Sequence, residues 1–483
     1  MDLTRRPDGP ALQEGLGSHG ISDLDDGTIV VLPSISFPSV ELQKIVGIQY
    51  YEERLLFMTL LLAKPNLRMV FISSVPIEES VIDYYLGFLP DPAEVRRRLE
   101  LVSVNDHEPR SLSAKLLDRP DVLGQVAAAR GSGDAYIVPF NVTLAEMEIA
   151  KLLKAPLYGP HPDLVALGSK SGSRAVARAA GVPLLEGEEN VSSTAEIESA
   201  LAHLREQRPE AKAAVIKLNN GFSGQGNAII DLDTMTFPID ASPTVFCADE
   251  EEWSGFASKI EDEGGVVEEL VREPGMMSPS VQMRIAPDRS YEVVSTHDQI
   301  LGGPDGQVYL GCRFPARSEY RLTIQDHAAN VAKVLAARGI IGSFGIDFIV
   351  VPNGPDYDVY LSEINLRLGG TTHPFLMTRL VTGGRYDVST GDLLVDDRRK
   401  FYIATDNLKS DSYKGISPPA LIAALDERKL SYDPATKTGV LLHLLGALKD
   451  YGKVGVVCIA DTTEDADALY EQVQGTLEYL AAL

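Results

Sequence analysis

Residues 342–374, GSFGIDFIVVPNGPDYDVYLSEINLRLGGTTHP, decide our interpretation of the fold. They predict a β-hairpin, because an apolar, β-branched run at 344–351 and a second strand-like run at 358–366 flank the turn residues 353–356. A hairpin folded about position 355 places Asp347 opposite Glu363, with the Cβ atoms roughly 5 Å apart. The predicted hairpin therefore brings two carboxylates together.

Further polar side chains join these carboxylates. Side chains alternate between the faces of a strand, so Asn365 and Arg367 share the face of Glu363. Two carboxylates this close repel each other unless a cation lies between them, and hard oxygen ligands suit Mg²⁺. The hairpin alone is equally compatible with a phosphatase or a calcium site.

The composition limits the class, partners and location of the protein. A net charge of −25 argues against nucleic acid or an anionic membrane as a partner, because both require a basic face. The three cysteines lack the spacing of a zinc site and indicate thiols in a reducing compartment. Residues 1–20 lack signal-peptide character and the longest near-apolar run, 55–63, is too short for a membrane helix. We expect a cytoplasmic protein.

The order of predicted elements divides the chain, which is too long for one small core, into domains. Strands alternate with helices between residues 28 and 151, which predicts a Rossmann-like parallel sheet of about four strands. A formal Gly-x-Gly-x-x-Gly match at 15–20 neither follows a strand nor precedes a helix. The predicted units are an α/β first domain (1–160), a domain of two α+β lobes (161–275 and 276–385) and a small α+β module (386–483).

A glycine-rich turn separates two strands of the central region. Residues 219–227 follow the strand 213–218, in which Lys217 supplies a positive charge where a phosphate would lie. Glycines let backbone N–H groups approach a phosphate closely, and a serine adds a hydroxyl donor. The candidate phosphate contacts in this turn are Gly221, Ser223, Gly224 and Gly226. Such turns are common, so this one is weak evidence by itself.

Two adjacent acids, Glu268 and Glu269, close an apolar strand. Adjacent residues point to opposite faces, so one acid could face solvent while the other accepts a hydrogen bond, for example from an exocyclic amine. The alternative is a strand that simply ends in water. A further lysine, Lys170, begins a predicted helix upstream.

Taken in order, these elements in residues 160–385 resemble an ATP-grasp ligase, in which two α+β lobes hold ATP between them. The resemblance implies that Lys170 and Lys217 contact phosphates and that 219–227 closes over the triphosphate. It implies an adenine hinge at Glu268, Glu269 and the backbone of Leu270 and Val271, with Glu273 or Ser278 reaching the ribose. It implies Mg²⁺ ligands at Asp347, Glu363 and Asn365, and stabilisation of an acyl phosphate by Arg367.

One departure from the family pattern concerns a second arginine. Some relatives carry an arginine two residues before the metal-binding Asp, where this chain has Gly345. We expect Arg313 or Arg284 to face the γ-phosphate instead, and prefer Arg313 because its hairpin is predicted to border the site. An ordinary surface arginine is the alternative.

The whole chain most resembles the pheganomycin-type peptide ligases, which carry a domain before the ATP-grasp region and a distinctive C-terminal domain. The implied reaction uses ATP and Mg²⁺ to join an amino-acid-type carboxylate to a peptide amine in peptide natural-product biosynthesis. The resemblance also implies a homodimer. Alternatives are a single amino-acid or D-alanine-type ligase, a carboxylase, and a non-catalytic ATP-binding protein. His297 and His373 are candidate bases for the amine, with a structural role as the alternative. We expect the substrate pocket walls to come from the first domain and residues 280–315.

Overall fold

The computed structural model describes residues 24–221, 226–248, 251–302 and 308–483. The first domain contains a parallel sheet with the strand order β3-β2-β1-β4 in the described part of the chain. Its strands are β1 (Asp26–Leu32), β2 (Asn66–Ser73), β3 (Leu99–Ser103) and β4 (Ala135–Pro139). Its α-helices are α1 (Ser39–Gln43), α2 (Glu79–Leu86), α3 (Pro92–Arg96), α4 (Leu112–Leu117), α5 (Pro120–Arg130) and α6 (Leu144–Leu153). The predicted parallel sheet of the first domain is confirmed.

A 3₁₀ helix, Ile48–Ala63, connects the first domain to the rest of the molecule. It is buried along most of its length and packs against α2 and β2. Runs of 3₁₀ helix this long are uncommon. Two of its charged residues face the C-terminal part of the chain: Arg54 pairs with Asp406 and Glu53 accepts a hydrogen bond from the Gly446 N–H at 2.9 Å. The third, Glu52, accepts hydrogen bonds from Ser74 of the first domain.

The first lobe of the central region is an antiparallel sheet with the order β5-β9-β6-β7-β8 across its described residues. Its strands are β5 (Gly187–Val191), β6 (Ala213–Leu218), β7 (Asn227–Asp231), β8 (Thr244–Phe246) and β9 (Gly265–Glu269). Its helices are α7 (Lys170–Ala180), α8 (Thr194–Gln207) and α9 (Trp253–Glu263), with short 3₁₀ helices at Pro162–Gly168 and Ile239–Ala241.

The second lobe and the C-terminal module share one large sheet. Its first strands are β10 (Pro279–Ile285), β11 (Tyr291–Gly302), β12 (Val308–Phe314), β13 (Gly342–Asn353) and β14 (Asp356–Asn365), and the helices are α10 (Ser318–Ala337) and α11 (Thr372–Thr382). The module adds β15 (Arg385–Asp387), β16 (Asp392–Val395), β17 (Arg398–Lys409), β18 (Gly439–His443) and β19 (Lys453–Ala460), with α12 (Pro418–Glu427), α13 (Gly446–Tyr451), α14 (Thr463–Ala481) and a 3₁₀ helix at Asp411–Tyr413. Strand β12 pairs with β17, so hydrogen bonding continues across the predicted boundary near residue 385.

The predicted hairpin within residues 342–374 is formed by β13 and β14. Near the turn the register pairs Asn353 with Asp356, which leaves Gly354 and Pro355 as the turn residues. A bulge between Asp347 and Phe348 then shifts the register, and Asp347 pairs with Glu363. The predicted cross-strand carboxylate pair is confirmed.

Among the described residues, none of the helices combines the length and apolar character that crossing a membrane demands.

Candidate active site

The carboxylate pair lies on one face of the large sheet. Asp347 is opposite Glu363 on one side and Ser280 of β10 on the other. The Asn365 Nδ2 donates to Asp347 Oδ2 at 2.9 Å, and the Gln299 Nε2 of β11 donates to Asp347 Oδ1 at 2.7 Å. Burial, and then the nearby negative charge of Glu363, raise the pKa of Asp347 to about 6. A cation between the two carboxylates would relieve this repulsion.

Lys170 connects this patch to the first lobe. Its Nζ donates to Glu363 Oε1 at 2.6 Å and lies 3.5 Å from the Gly221 carbonyl of the glycine-rich turn. The start of α7 is held there because the Lys170 N–H donates to the Asn219 carbonyl at 3.1 Å. The Ile364 N–H of β14 also donates to Ser173 Oγ of α7 at 2.9 Å. These bonds bring the candidate phosphate lysine and the candidate metal ligands together.

The donor set fits Mg²⁺ bound together with phosphates. Among the described residues, no group of three or more His, Cys, Asp or Glu side chains converges as a self-contained metal site. Mg²⁺ usually takes only one or two protein carboxylates, with water and substrate phosphates as its other ligands. Asp347 and Glu363 supply two such carboxylates. The Asn365 Oδ1, in contrast, accepts from Arg367 Nη2 at 2.9 Å and is directed away from the carboxylate pair.

Arg367 follows the hairpin and is held from several sides. Its Nη1 donates to the Leu368 carbonyl at 3.2 Å, and its guanidinium carbon lies 5.5 Å from the ring centre of Phe37 in the first domain. Burial lowers the pKa of Arg367, although the nearby Glu363 and Asp347 charges oppose this. The arginine therefore lies where the first domain meets the carboxylate patch.

The glycine-rich turn is described at its two ends. Gly221 and Gly226 face each other so closely that a Cβ on Gly226 would lie 3.0 Å from the Gly221 Cα. The two glycines thus permit the narrow base of the turn. Ser223 and Gly224, the other predicted phosphate contacts of this turn, lie outside the described residues.

Comparison with known proteins identifies the family. A family model described as "IQCH-like, ATP-grasp" matches residues 163–244 and 242–389, and one described as "PGM1 C-terminal domain" matches 420–473. An L-propargylglycine–L-glutamate ligase from Streptantibioticus cattleyicolor is 30% identical over 464 residues, which cover 93% of this chain and 94% of that protein. The chain belongs to the pheganomycin-type ATP-grasp ligases. The resemblance drawn from the sequence is confirmed.

Other similarities to this ATP-grasp ligase are more distant. IQ motif-containing protein H from Danio rerio is 21% identical over 427 residues, which cover 76% of this chain but 40% of that protein. A biotin carboxylase from Campylobacter jejuni superposes with a TM-score of 0.55 at 15% identity, covering 94% of this chain and 95% of that one. An N5-carboxyaminoimidazole ribonucleotide synthetase in complex with ADP superposes with a TM-score of 0.53 at 12% identity, and the match covers 95% of this chain and 98% of that one. At these identities the solved structures show the fold alone.

The ATP-grasp ligase engages both acids of the predicted adenine hinge in ion pairs. Glu268 pairs with Lys217 and lies 3.0 Å from Arg174 Nη1. Burial opposes ionisation of Glu268, but these two cations prevail and lower its pKa. Glu269 lies 3.2 Å from Arg208 Nη2 on the other face of β9. The expectation that one of these acids faces solvent is wrong, since both are buried.

The side chains of the predicted adenine hinge are engaged in ion pairs, whereas its backbone is partly unpaired. The contact of Glu268 with an adenine amine stays a prediction, because its two oxygens bond to Lys217 and Arg174 in this structure. The Leu270 N–H donates to the Ala213 carbonyl at 2.9 Å, whereas the Val271 amide has no backbone partner in the described part of the chain. Glu273 is exposed beyond the strand, and its predicted ribose contact stays a prediction.

Arg313 does not face the site in this ligase, so the preference for it over Arg284 is wrong. It pairs along the sheet with Asp298, next to Gln299, whose side chain reaches Asp347. Neighbouring residues of a strand point to opposite faces, so Arg313 lies on the far face, where it pairs with Asp467 of α14. Arg284 shares the face of Asp347, because Ser280 and Arg284 are four residues apart on β10. Its side chain lies 2.7 Å from Glu292.

Neither candidate histidine is placed to accept a proton from an amine. His297 is fully buried, its Nε2 is 2.6 Å from the Tyr402 hydroxyl, and burial lowers its pKa to about 3. His373 is also buried, and its ring packs against His443 with the ring centres 4.4 Å apart. Burial and the neighbouring His443 lower the pKa of His373. The structural interpretation of both residues is supported.

Sequence reasoning missed two residues that organise the site. Gln299 donates to Asp347, and its signal was the polar run Thr-His-Asp-Gln at 296–299 within an otherwise apolar strand. Arg174 is almost fully buried in α7 and contacts Glu268 and the Leu185 carbonyl. Its burial could not be inferred locally, since its partners come from distant parts of the sequence.

Proposed function

We propose that this ATP-grasp ligase activates an amino-acid-type carboxylate as an acyl phosphate and joins it to a peptide amine, forming ADP and phosphate. The observation that carries this proposal is the contact between Lys170 of the first lobe and Glu363 of the second, beside Asp347. A candidate phosphate-binding cation and two candidate metal ligands thus lie together at the junction of the two lobes. Arg367 lies next to them, where an acyl group would be activated.

ATP would lie between the lobes. The Val271 amide and the Leu270 carbonyl are the backbone groups proposed to recognise adenine, and Glu273 to reach the ribose. Lys170, Lys217 and the glycine-rich turn would hold the phosphates, which requires Lys217 to exchange Glu268 for a phosphate oxygen. Asp347 and Glu363, with Asn365 after rotation of its amide, would hold Mg²⁺, which when bound neutralises charge on the β- and γ-phosphates.

The chemistry consists of two displacements. A carboxylate oxygen of the donor attacks the γ-phosphorus, the bond to the β-phosphate oxygen breaks, and ADP leaves with that electron pair. The amine nitrogen then attacks the acyl carbon, the bond from that carbon to the phosphate oxygen breaks, and the amine loses a proton as phosphate departs. Arg367 stabilises the negative charge that develops on the acyl oxygens, and closure of the lobes excludes water from the acyl phosphate.

Its curated relative, named for joining L-propargylglycine to L-glutamate, supports amino acids as the substrate class. We further propose a role in peptide natural-product biosynthesis in the cytoplasm. We also propose that the protein forms a homodimer, and a mass measurement by light scattering would test this. The absence of any covalent-nucleophile motif in the sequence agrees with direct transfer from an acyl phosphate.

The test is incubation of the purified protein with ATP, Mg²⁺ and mixtures of amino acids and short peptides. Release of ADP and phosphate that depends on both a carboxylate and an amine supports the proposal. Release of AMP and pyrophosphate would contradict the acyl-phosphate route. ATP binding without turnover on any mixture would favour a non-catalytic ATP-binding protein.

A further inference from the structure

A cavity of about 110 Å³ lies beside Arg367, between the first domain and the large sheet. This is well below the roughly 300–1,000 Å³ of sites that hold drug-sized ligands. Its size suits part or all of a single amino acid rather than a folded peptide. The cavity is therefore a candidate site for one small substrate.

Most of the cavity wall is apolar and comes from separate elements. The 3₁₀ helix of the first domain contributes Phe57, Met58 and Leu61, and β4 and the segment after it contribute Val138 and Phe140. The opposite wall is formed by residues of β10, β11 and α11. The first domain and the 280–315 region, which the sequence predicted to supply the substrate walls, therefore both line this cavity, together with α11.

The cavity continues from the carboxylate patch along the same face of the sheet. Ser280 is paired with Asp347, Gln282 with Gly345 and Arg284 with Ser343. Successive rows on one face are about 6.8 Å apart, so the cavity begins one row from the candidate metal ligands. A carboxylate placed at Arg367 would therefore have the rest of its molecule in the cavity.

The polar part of the cavity is positively charged. Arg284, Arg367 and Arg379 line it, against the single carboxylate of Glu292, which pairs with Arg284. Arg379 of α11 has no ion pair with any described residue. With the reacting carboxylate at Arg367, the guanidinium of Arg379 is a second positively charged group of the cavity wall. A charged wall group favours a ligand that carries a second negative group.

We propose that this cavity binds the acyl donor, and that the donor is a small amino acid with an aliphatic body and two carboxylates. Arg367 holds the reacting carboxylate, Arg379 binds the second one, and Phe57, Met58 and Leu61 contact the aliphatic carbons. The inference rests on the proposed function, because it assigns the donor of that reaction. Arg379 acts as a specificity-determining residue.

The experiment compares L-glutamate and L-aspartate with L-norvaline and L-leucine, using hydroxylamine to trap the acyl phosphate as a hydroxamate. We expect kcat/KM at least about tenfold higher for a dicarboxylic acid, since hydrogen bonds to charged groups are worth more than a tenfold change in affinity. Arg379→Gln should raise the KM for that acid about tenfold or more, leave kcat within about threefold, and leave the monocarboxylic acids unaffected. Equal use of both classes, or an unchanged KM in the variant, would overturn the assignment.

Controls separate this inference from the proposed function. Arg385→Gln makes the same change at an exposed residue of strand β15 and should behave as the parent protein. Arg379→Lys keeps the charge and should recover part of the selectivity, which a folding defect would not allow. Binding is measured separately, as a rise in melting temperature with L-glutamate. If the parent protein binds L-glutamate and Arg379→Gln does not, yet no acid yields hydroxamate, the cavity assignment stands and the proposed function fails. If hydroxamate forms equally well in the parent protein and in Arg379→Gln, the proposed function stands and the cavity assignment fails.

Discussion

Lys170 and Glu363 neutralise each other across the two lobes of the structure. Each has a further proposed partner, a phosphate for the lysine and Mg²⁺ for the carboxylate. When ATP binds with Mg²⁺, the lysine pairs with a phosphate and the carboxylate binds the metal. When ATP binds without Mg²⁺, the lysine pairs with a phosphate, and the neighbouring carboxylates of Asp347 and Glu363 are left without a cation. Nucleotide binding should therefore depend strongly on Mg²⁺.

Glu363→Gln tests this exchange. We expect turnover to fall by roughly 100-fold or more, because a metal ligand worth several kcal/mol is lost. Binding of ATP in the presence of a chelator should instead become tighter than in the parent protein, since Lys170 is released from a carboxylate. Calorimetry with and without Mg²⁺ measures both effects, and Glu261→Gln on the exposed surface of α9 is the matched control. Near-normal turnover of Glu363→Gln would refute the metal assignment.

Substitution of Arg313 and of Arg284, the two candidates for contact with the γ-phosphate, should have different effects on activity. Arg313 and Asp467 form a partly exposed pair on the far face, and such pairs contribute about 0–1 kcal/mol. Arg313→Gln should keep kcat/KM within about twofold. Arg284→Gln, on the site face, should lower kcat/KM by about tenfold or more through lost charge beside the donor cavity. A larger loss from Arg313→Gln than from Arg284→Gln would show that the face assignment is wrong.

Glu53 predicts a pH dependence of stability. Burial, and the neighbouring Glu78 and Glu52, raise its pKa from 4.5 to about 8, although the Gly446 N–H opposes this. The folded protein thus retains a proton that the unfolded chain releases near pH 4.5, so this contribution to stability is full below that pH and is lost as the pH rises to about 8. Glu53→Gln should match the parent protein at pH 5 and melt at a higher temperature at pH 8.5. A variant that melts lower at pH 8.5 would contradict the assignment.

The β13–β14 hairpin illustrates how far the sequence leads at the level of elements. Alternation and turn residues predicted both strands and the pairing of Asp347 with Glu363. The prediction centred the hairpin on position 355, but the turn pairs Asn353 with Asp356 and so is centred between Gly354 and Pro355. The bulge between Asp347 and Phe348 shifts the register back, so that Asp347 still pairs with Glu363. A bulge has no distinctive sequence pattern here, so this agreement depends on two local features that offset each other.

Strand β9 illustrates where sequence reasoning stops. Alternation correctly places Glu268 and Glu269 on opposite faces, but each is neutralised by an arginine from another element, Arg174 and Arg208. Those partners are 94 and 61 residues away, and tertiary packing alone brings them into contact. The same reason explains the error on Arg313, because the face of β12 depends on the register of the whole sheet.

The three parts of the molecule are joined by buried charges as well as by the shared sheet. Arg54 of the first domain pairs with Asp406 of β17, and both side chains are largely buried. Removing one partner of a buried pair leaves an uncompensated charge, which typically costs about 3–5 kcal/mol. The pair therefore fixes the first domain, and with it the 3₁₀ helix that lines the donor cavity.

Asp406→Asn should lower the melting temperature by several degrees and raise the KM for the carboxylate more than the KM for ATP. The reason is that Arg54 and the helix carrying Phe57 and Met58 would lose their anchor. Asp426→Asn, on the exposed side of α12, is the matched control. A variant with parental stability and KM values would show that this pair does not hold the domains together.

The central claim is that the carboxylate of the donor attacks the γ-phosphate of ATP, and oxygen transfer tests it most directly. The donor is labelled with ¹⁸O in its carboxylate groups, turned over with ATP, Mg²⁺ and an amine, and the released phosphate is analysed by mass spectrometry or by ³¹P NMR. The structure predicts one ¹⁸O atom in each phosphate released, together with ADP. Unlabelled phosphate, or label recovered in AMP, would contradict it.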